Sequence, residues 1–172
     1  SHIASWDGSA WSALGTGLSG INPIVYALTV YNNKLIAGGG FTFAGGQPRH
    51  YRIASWNGTV WSPLSPIAIG GASEDTGEIV FALTVYGTKL IAGGYFFSAG
   101  NMAVNYIASW DGFNWSALGT GLGGLNPLVS ALAVYDNKLI VGGTFSVAGG
   151  ASNHAGGAPA SDIASWDGSS WS

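Results

Sequence analysis

The chain has 172 residues, 47% of them hydrophobic and 13% aromatic, which is the make-up of a folded domain with its own core. Only 8% are charged and the net charge is −3 at pH 7, leaving no basic field to hold nucleic acid or an anionic lipid surface. The absence of cysteine excludes disulfides, thiolate chemistry and cysteine-ligated metals, and no apolar run approaches the ~18 residues that would insert into a membrane as a spanning helix.

Ile3-Ala4-Ser5-Trp6 turns through Asp7-Gly8 into a strand carrying Trp11, and Asp-Gly between such segments is a strong hairpin signal. An alternating run, Val25 to Tyr31, follows with the period of a half-buried strand. Asn32-Asn33, residues that tolerate positive φ, connect it to a second strand, Lys34 to Gly39. After an irregular stretch from Phe43 to Arg52, the hairpin returns as Ile53-Ala54-Ser55-Trp56, Asn57-Gly58 and Trp61. The same order recurs twice. Ser65 to Glu78 leads to Val80–Tyr86, the turn Gly87-Thr88, a strand from Lys89, the stretch Ser98 to Tyr106, and a hairpin with Trp110 and Trp115. Val129–Tyr135, Asp136-Asn137, a strand from Lys138, Ser146 to Asp162, and the Trp166 and Trp171 hairpin complete the series.

Ile-Ala-Ser-Trp begins at residues 3, 53, 107 and 163, so the periods are 50, 54 and 56 residues. Periods of this size belong to propeller blades. No segment has a helical period, and the expected fold is all-β: a β-propeller of four-stranded antiparallel blades. Residues 3–14 supply an extra hairpin, strands three and four of a preceding blade; 24–64, 79–118 and 128–172 are blades. A β-trefoil has a similar size but no use for a fourth hairpin duplicating the first. With no initiator Met before Ser1-His2-Ile3 and no tail after Trp171-Ser172, the array is expected to continue past both ends. The eight Trp residues fall at two repeat phases, which suits blade-on-blade packing better than a row of sugar platforms, since a ligand rarely needs one group in every blade. The pairs Gly38-Gly39, Gly93-Gly94 and Gly142-Gly143 are expected at close backbone approaches.

The order of alternating strand, short turn, Leu-Ile-x-Gly-Gly, loop, aromatic strand and Trp resembles the kelch-type blade of galactose-oxidase-like propellers. The fuller pattern Ile-Ala-Ser-Trp-Asp-Gly-x-x-Trp-Ser-x-Leu-Gly is similar to repeats of large cell-surface propellers, among them the fungal cortical polarity-marker family and bacterial exported proteins. Kelch blades usually carry Tyr where Trp6 and its equivalents stand. The resemblance implies a propeller fold and leaves the activity open.

Alternating strand directions put the short, stereotyped turns on one face and every length change on the other, and such loops on a rigid scaffold are where binding groups reside. The non-repeating charges agree, since all but Asp136 fall in those loops. The candidate partner-binding residues are Arg49, His50, Tyr51, Arg52, Glu74, Asp75, Glu78, Asn101, Asn105, Tyr106, Asn153 and His154. An Arg/Glu pairing between neighbouring loops is the structural alternative for the charged ones. No catalytic residue, metal site or cofactor is expected. Gly15 to Gly20 and Gly119 to Gly124 fit G-x-G-x-x-G but precede strands, whereas a dinucleotide site needs a helix there. His2, His50 and His154 occupy unrelated phases. The Asp7 hairpin differs by one residue in spacing from a sialidase Asp-box. Asn57-Gly58-Thr59 and Asn114-Trp115-Ser116 fit the N-glycosylation pattern.

These features point to a non-enzymatic extracellular or cell-surface module for adhesion, recognition or scaffolding, with a protein or glycan partner and no contact with nucleic acid. One alternative is a self-assembling unit whose open blade edges pair with other copies or with further blades. A lower alternative is a fragment of a propeller hydrolase or lyase.

Overall fold

The computed structural model describes residues 2–20, 23–47, 52–67, 69–70, 77–149 and 158–172. Two four-stranded antiparallel sheets run in simple meander order. Blade 1 comprises Val25–Tyr31, Lys34–Gly39, Ile53–Trp56 and Trp61–Pro63; blade 2 comprises Ile79–Tyr86, Lys89–Tyr95, Ile107–Trp110 and Trp115–Ala117. Blade 3 repeats the first three strands as Leu128–Tyr135, Lys138–Thr144 and Ile163–Trp166, and a bridge from Trp166 to Trp171 supplies the fourth. The hairpin Ala4–Trp6 with Trp11–Ala13 precedes them. The chain is an all-β protein built from propeller blades.

Turn chemistry sets the register. Asn32, Asn33, Asp136 and Asn137 all take positive φ, as a two-residue hairpin between right-twisted strands requires. The Gly pairs mark where each sheet bulges. A Cβ on Gly39, Gly94 or Gly143 would lie 2.0 Å from the carbonyl oxygen of Ile24, Ile79 or Leu128, so only glycine lets the backbones approach this closely.

The core lies between consecutive blades, in three clusters. Ile3, Leu14 and Leu18 pack on Phe41, Ala54 and Trp61; Tyr31, Ile36 and Ile53 on Val80, Trp110 and Trp115; Ile91 and Ile107 on Val129, Leu139 and Trp166. Each blade therefore has a leading face, with the Trp pair and an inner Val and Leu, and a trailing face, with Tyr, Ile and Gly. The two interlock at glycine. A Cβ on Gly38 would stand 2.6 Å from Cγ1 of Val80, and one on Gly93 would stand 2.4 Å from Cγ1 of Val129. The Tyr hydroxyl crosses the same seam: Tyr31 donates to the Thr88 carbonyl at 3.2 Å and Tyr86 to the Asn137 carbonyl at 3.0 Å.

The outermost faces lack these neighbours. On the leading side Trp11 is 71% exposed and Leu28, the counterpart of Leu83 and Leu132, is 52% exposed. On the trailing side Tyr135 is 76% and Ile163 63% exposed, while Ile53 and Ile107 are buried. The Trp pairs thus pack into the core in blades 1 to 3, Trp56 and Trp171 half-buried and the others buried, whereas Trp6 and Trp11, with no blade ahead of them, are exposed.

Because overpacking a tight contact costs about 1–3 kcal/mol, Gly93→Ala should lower the unfolding free energy by that amount in a urea titration. The same change at Gly142, whose added Cβ would make only ordinary contacts, Ala131 Cβ at 3.7 Å and the Asp162 carbonyl oxygen at 3.9 Å, should stay within about 0.5 kcal/mol.

Candidate functional site

The irregular segments meet on one side of the blades, as their backbone pairing shows. Leu18–Ser19 pairs with Phe43–Ala44, Ile69 bridges Ala99, and Leu122–Gly123 pairs with Val147–Ala148. These seams join the loop entering a blade to the loop between that blade's second and third strands. The beginnings of the irregular stretches are thereby more regular than expected. Phe41, Phe96 and Phe145 are buried, as are Ala44, Ala99 and Ala148, in a repeated Gly-Gly-x-Phe-x-x-Ala-Gly segment.

Arg52 and Glu78, expected from their loop positions to face a partner, are buried instead. Arg52 Nε donates to the Glu78 carbonyl, and a Glu78 carboxylate oxygen accepts the Phe97 N–H at 3.0 Å. The carboxylate also lies over Gly70, where a Cβ would come within 2.1 Å of it. A buried charge is stable only when bonded in this way, so both residues brace the blade 1–blade 2 junction. Tyr106, another candidate, is likewise buried. Asn105 Nδ2 donates to the Thr120 carbonyl at 2.6 Å, tying its loop to the following junction. Asn101 is exposed. Arg49, His50, Tyr51, Glu74, Asp75, Asn153 and His154 lie outside the described residues.

Arg52, Tyr106 and Asp162 occupy one repeat position, directly before Ile-Ala-Ser-Trp, with φ of +69°, +67° and +64°. Non-glycine residues rarely hold this conformation. Here the backbone is clamped on both sides: Arg52 N–H donates to Phe41 O and its carbonyl accepts from Gly39 N–H, each at 2.9 Å, and the other two blades repeat the pair.

Blade 2 carries aromatic groups that the repeat pattern does not mark. Tyr95 and Phe97 stack edge to face with ring centroids 5.2 Å apart, and both contact the Tyr106 ring beneath. Both are exposed on the loop side. The corresponding residues are Gly40 and Thr42 in blade 1 and Thr144 and Ser146 in blade 3. Comparing these two positions across the blades is the signal that reveals them.

A cavity of about 530 Å³ lies beside the same blade, lined by residues that include Ser65, Asn101, Met102, Phe113 and Trp115. Its origin is a broken turn. Elsewhere Leu14-Gly15-Thr16-Gly17 and Leu118-Gly119-Thr120-Gly121 curl so that the leucine carbonyl accepts the indole N–H of the next blade, from Trp61 at 2.9 Å and Trp171 at 3.1 Å. Gly15 and Gly119 adopt φ of +60° and +56° against Trp rings. Leu64-Ser65-Pro66-Ile67 has no glycine there, proline fixes φ negative, and Ser65 Oγ bonds Ile67 locally. The Trp115 indole N–H is left buried without an acceptor, at a cost of about 1–3 kcal/mol.

Among the described residues no three His, Cys, Asp or Glu side chains come together as a metal site. The two G-x-G-x-x-G matches form the turns just described and run into the strands at Leu18 and Leu122. No helix is long and apolar enough to cross a membrane among the described residues.

With blades, junctions and loops assigned, the class is a β-propeller. A family model described as "Domain of unknown function (DUF5122) beta-propeller" matches residues 136–162, the span from the Asp136 turn through the second strand of blade 3 to Asp162. No curated protein matches the chain.

The opposite face is a set of identical caps. In each third-to-fourth-strand hairpin the first turn side chain, Asp7, Asn57, Asp111 or Asp167, accepts two backbone N–H groups at 2.7–2.9 Å. These bonds favour the carboxylate and hold the three aspartates below their usual range, the largest cause being the N–H of Ala10, Asn114 and Ser170 respectively. A depressed folded value gives stability that is present above the unfolded value and lost as pH falls through the folded one. Unfolding free energy should therefore fall below pH ~4, and Asp167→Asn, which copies Asn57, should reduce that acid slope in urea titrations while leaving neutral-pH stability nearly unchanged.

Proposed function

We propose that this chain is a non-enzymatic recognition module of kelch-like type, working outside the cell or on its surface, which engages a protein or glycan partner through the loop face. The observation that carries the reading is the exposed Tyr95–Phe97 pair, mounted on buried Tyr106 and the Arg52–Glu78 brace and present in blade 2 alone. Exposed aromatic groups on a rigid base lose little entropy on contact and are favoured anchors at interfaces. The resemblance to exported propellers supports the location. Among the described residues no three His, Cys, Asp or Glu side chains come together, which favours binding over hydrolase or lyase turnover. Replacing Tyr95→Thr together with Phe97→Ser gives blade 2 the residues of blade 3. A protein or glycan array should yield a partner whose signal disappears in this double variant while the thermal midpoint is kept; an array without partners, or signals indifferent to the change, would count against the reading.

A second reading, self-association, is favoured by the two unfilled blade faces. Tyr135, Gly142 and Ile163 repeat the trailing surface that accepts the next blade, and Val25, Leu28 and Asn33 repeat the leading surface that enters it. The occupant is a second copy, with hairpin 163–172 of one chain taking the place of hairpin 3–14 on the next. Sedimentation velocity should show concentration-dependent oligomers that Leu28→Asp abolishes; a monomer at every concentration would refute this assembly.

A further inference from the structure

Three departures from the repeat, distant in sequence, border one cavity of about 530 Å³. Ser65-Pro66-Ile67 stands where other junctions have Gly-Thr-Gly, and Asn101-Met102 where blade 1 has Gly46-Gln47. Phe113-Asn114 replaces the small turn pairs Ser9-Ala10, Thr59-Val60 and Ser169-Ser170. Phe113 is 85% exposed, so the fold does not need its ring there.

We infer that this cavity binds a neutral carbohydrate, a single pyranose ring or a short oligosaccharide. The volume falls within the roughly 300–1,000 Å³ of small-molecule sites. Exposed Phe113 gives a flat apolar face for the C–H side of a sugar ring, with the buried Trp110 and Trp115 behind the cavity wall. The amides of Asn101 and Asn114 and the Ser65 hydroxyl offer both donors and acceptors, as sugar hydroxyls require. Trp115 lines the same cavity, and its indole N–H is shielded and has no acceptor, so a ligand oxygen that reached it as the wall opened would restore the bond that Leu14 and Leu118 provide in the other blades. No charged side chain is among the described lining residues, so a carboxylate or phosphate would enter without a counter-charge. This site is separate from the Tyr95–Phe97 surface and stands or falls independently of it.

The test uses the whole chain, produced in a host without N-glycosylation so that Asn114 is unmodified. Methyl glycosides of glucose, galactose, mannose and N-acetylglucosamine, with their disaccharides, are titrated while the indole N–H signals are followed by NMR, Trp115 being assigned from Trp115→Phe. At least one sugar should move the Trp115 signal by roughly 10 mM ligand. Phe113→Ser, the residue of the first and last hairpins, should weaken that binding about tenfold or more with an unchanged thermal midpoint, and Asn101→Gly should weaken it too. No response to any sugar, or a response that survives Phe113→Ser, overturns the assignment. The loop-face reading keeps its own measure, the array signal of the Tyr95→Thr/Phe97→Ser variant.

Discussion

The molecule depends on a lock between a strand position without a side chain and a branched residue of the next blade. Val80 occupies the space above Gly38 and Val129 the space above Gly93, so two sheets meet at a distance that no other residue would permit. Ile, Trp and Tyr close the remainder of each seam. Since both blade-to-blade seams share this lock, the orientation of each blade is set by the one before it, and sequence variation is driven to segments that take no part in the lock.

Those segments are not equally free. Part of each is sewn to the adjoining junction by short backbone pairs, and the single Arg–Glu contact among the described residues is spent on the same task. Among the described residues, the departures that remain exposed gather around blade 2. The Tyr95–Phe97 pair stands on its loop side, and the cavity opens where Ser65-Pro66 has replaced a glycine turn. The buried, unbonded Trp115 N–H is a local cost with no structural return inside the chain, the kind of imperfection that collects at functional places.

The strands, turns and Trp phases were legible from the sequence because each follows from a local rule: alternation, a turn pair tolerating positive φ, or a repeated large side chain. Charge was a poorer guide. Arg52 and Glu78 are buried because they meet at the blade 1–blade 2 junction, whereas Asp162, at the Arg52 position of blade 3, is exposed. Exposure of Trp6, Trp11, Tyr135 and Ile163 was hidden by their equivalence to buried residues, since it reflects the missing neighbour and not the residue. The cavity was less accessible still, because Ser65, Asn101 and Phe113 converge only after two blades have packed.

The left-handed residue before each third strand has a broader consequence. Arginine, tyrosine and aspartate occupy it with φ between +64° and +69°, because its N–H and carbonyl are bonded in the same way in every blade whatever the side chain. Each blade thereby offers a socket of invariant shape whose chemical content can be exchanged like a cartridge, and a propeller of this kind could diversify its rim one blade at a time without refolding its hub.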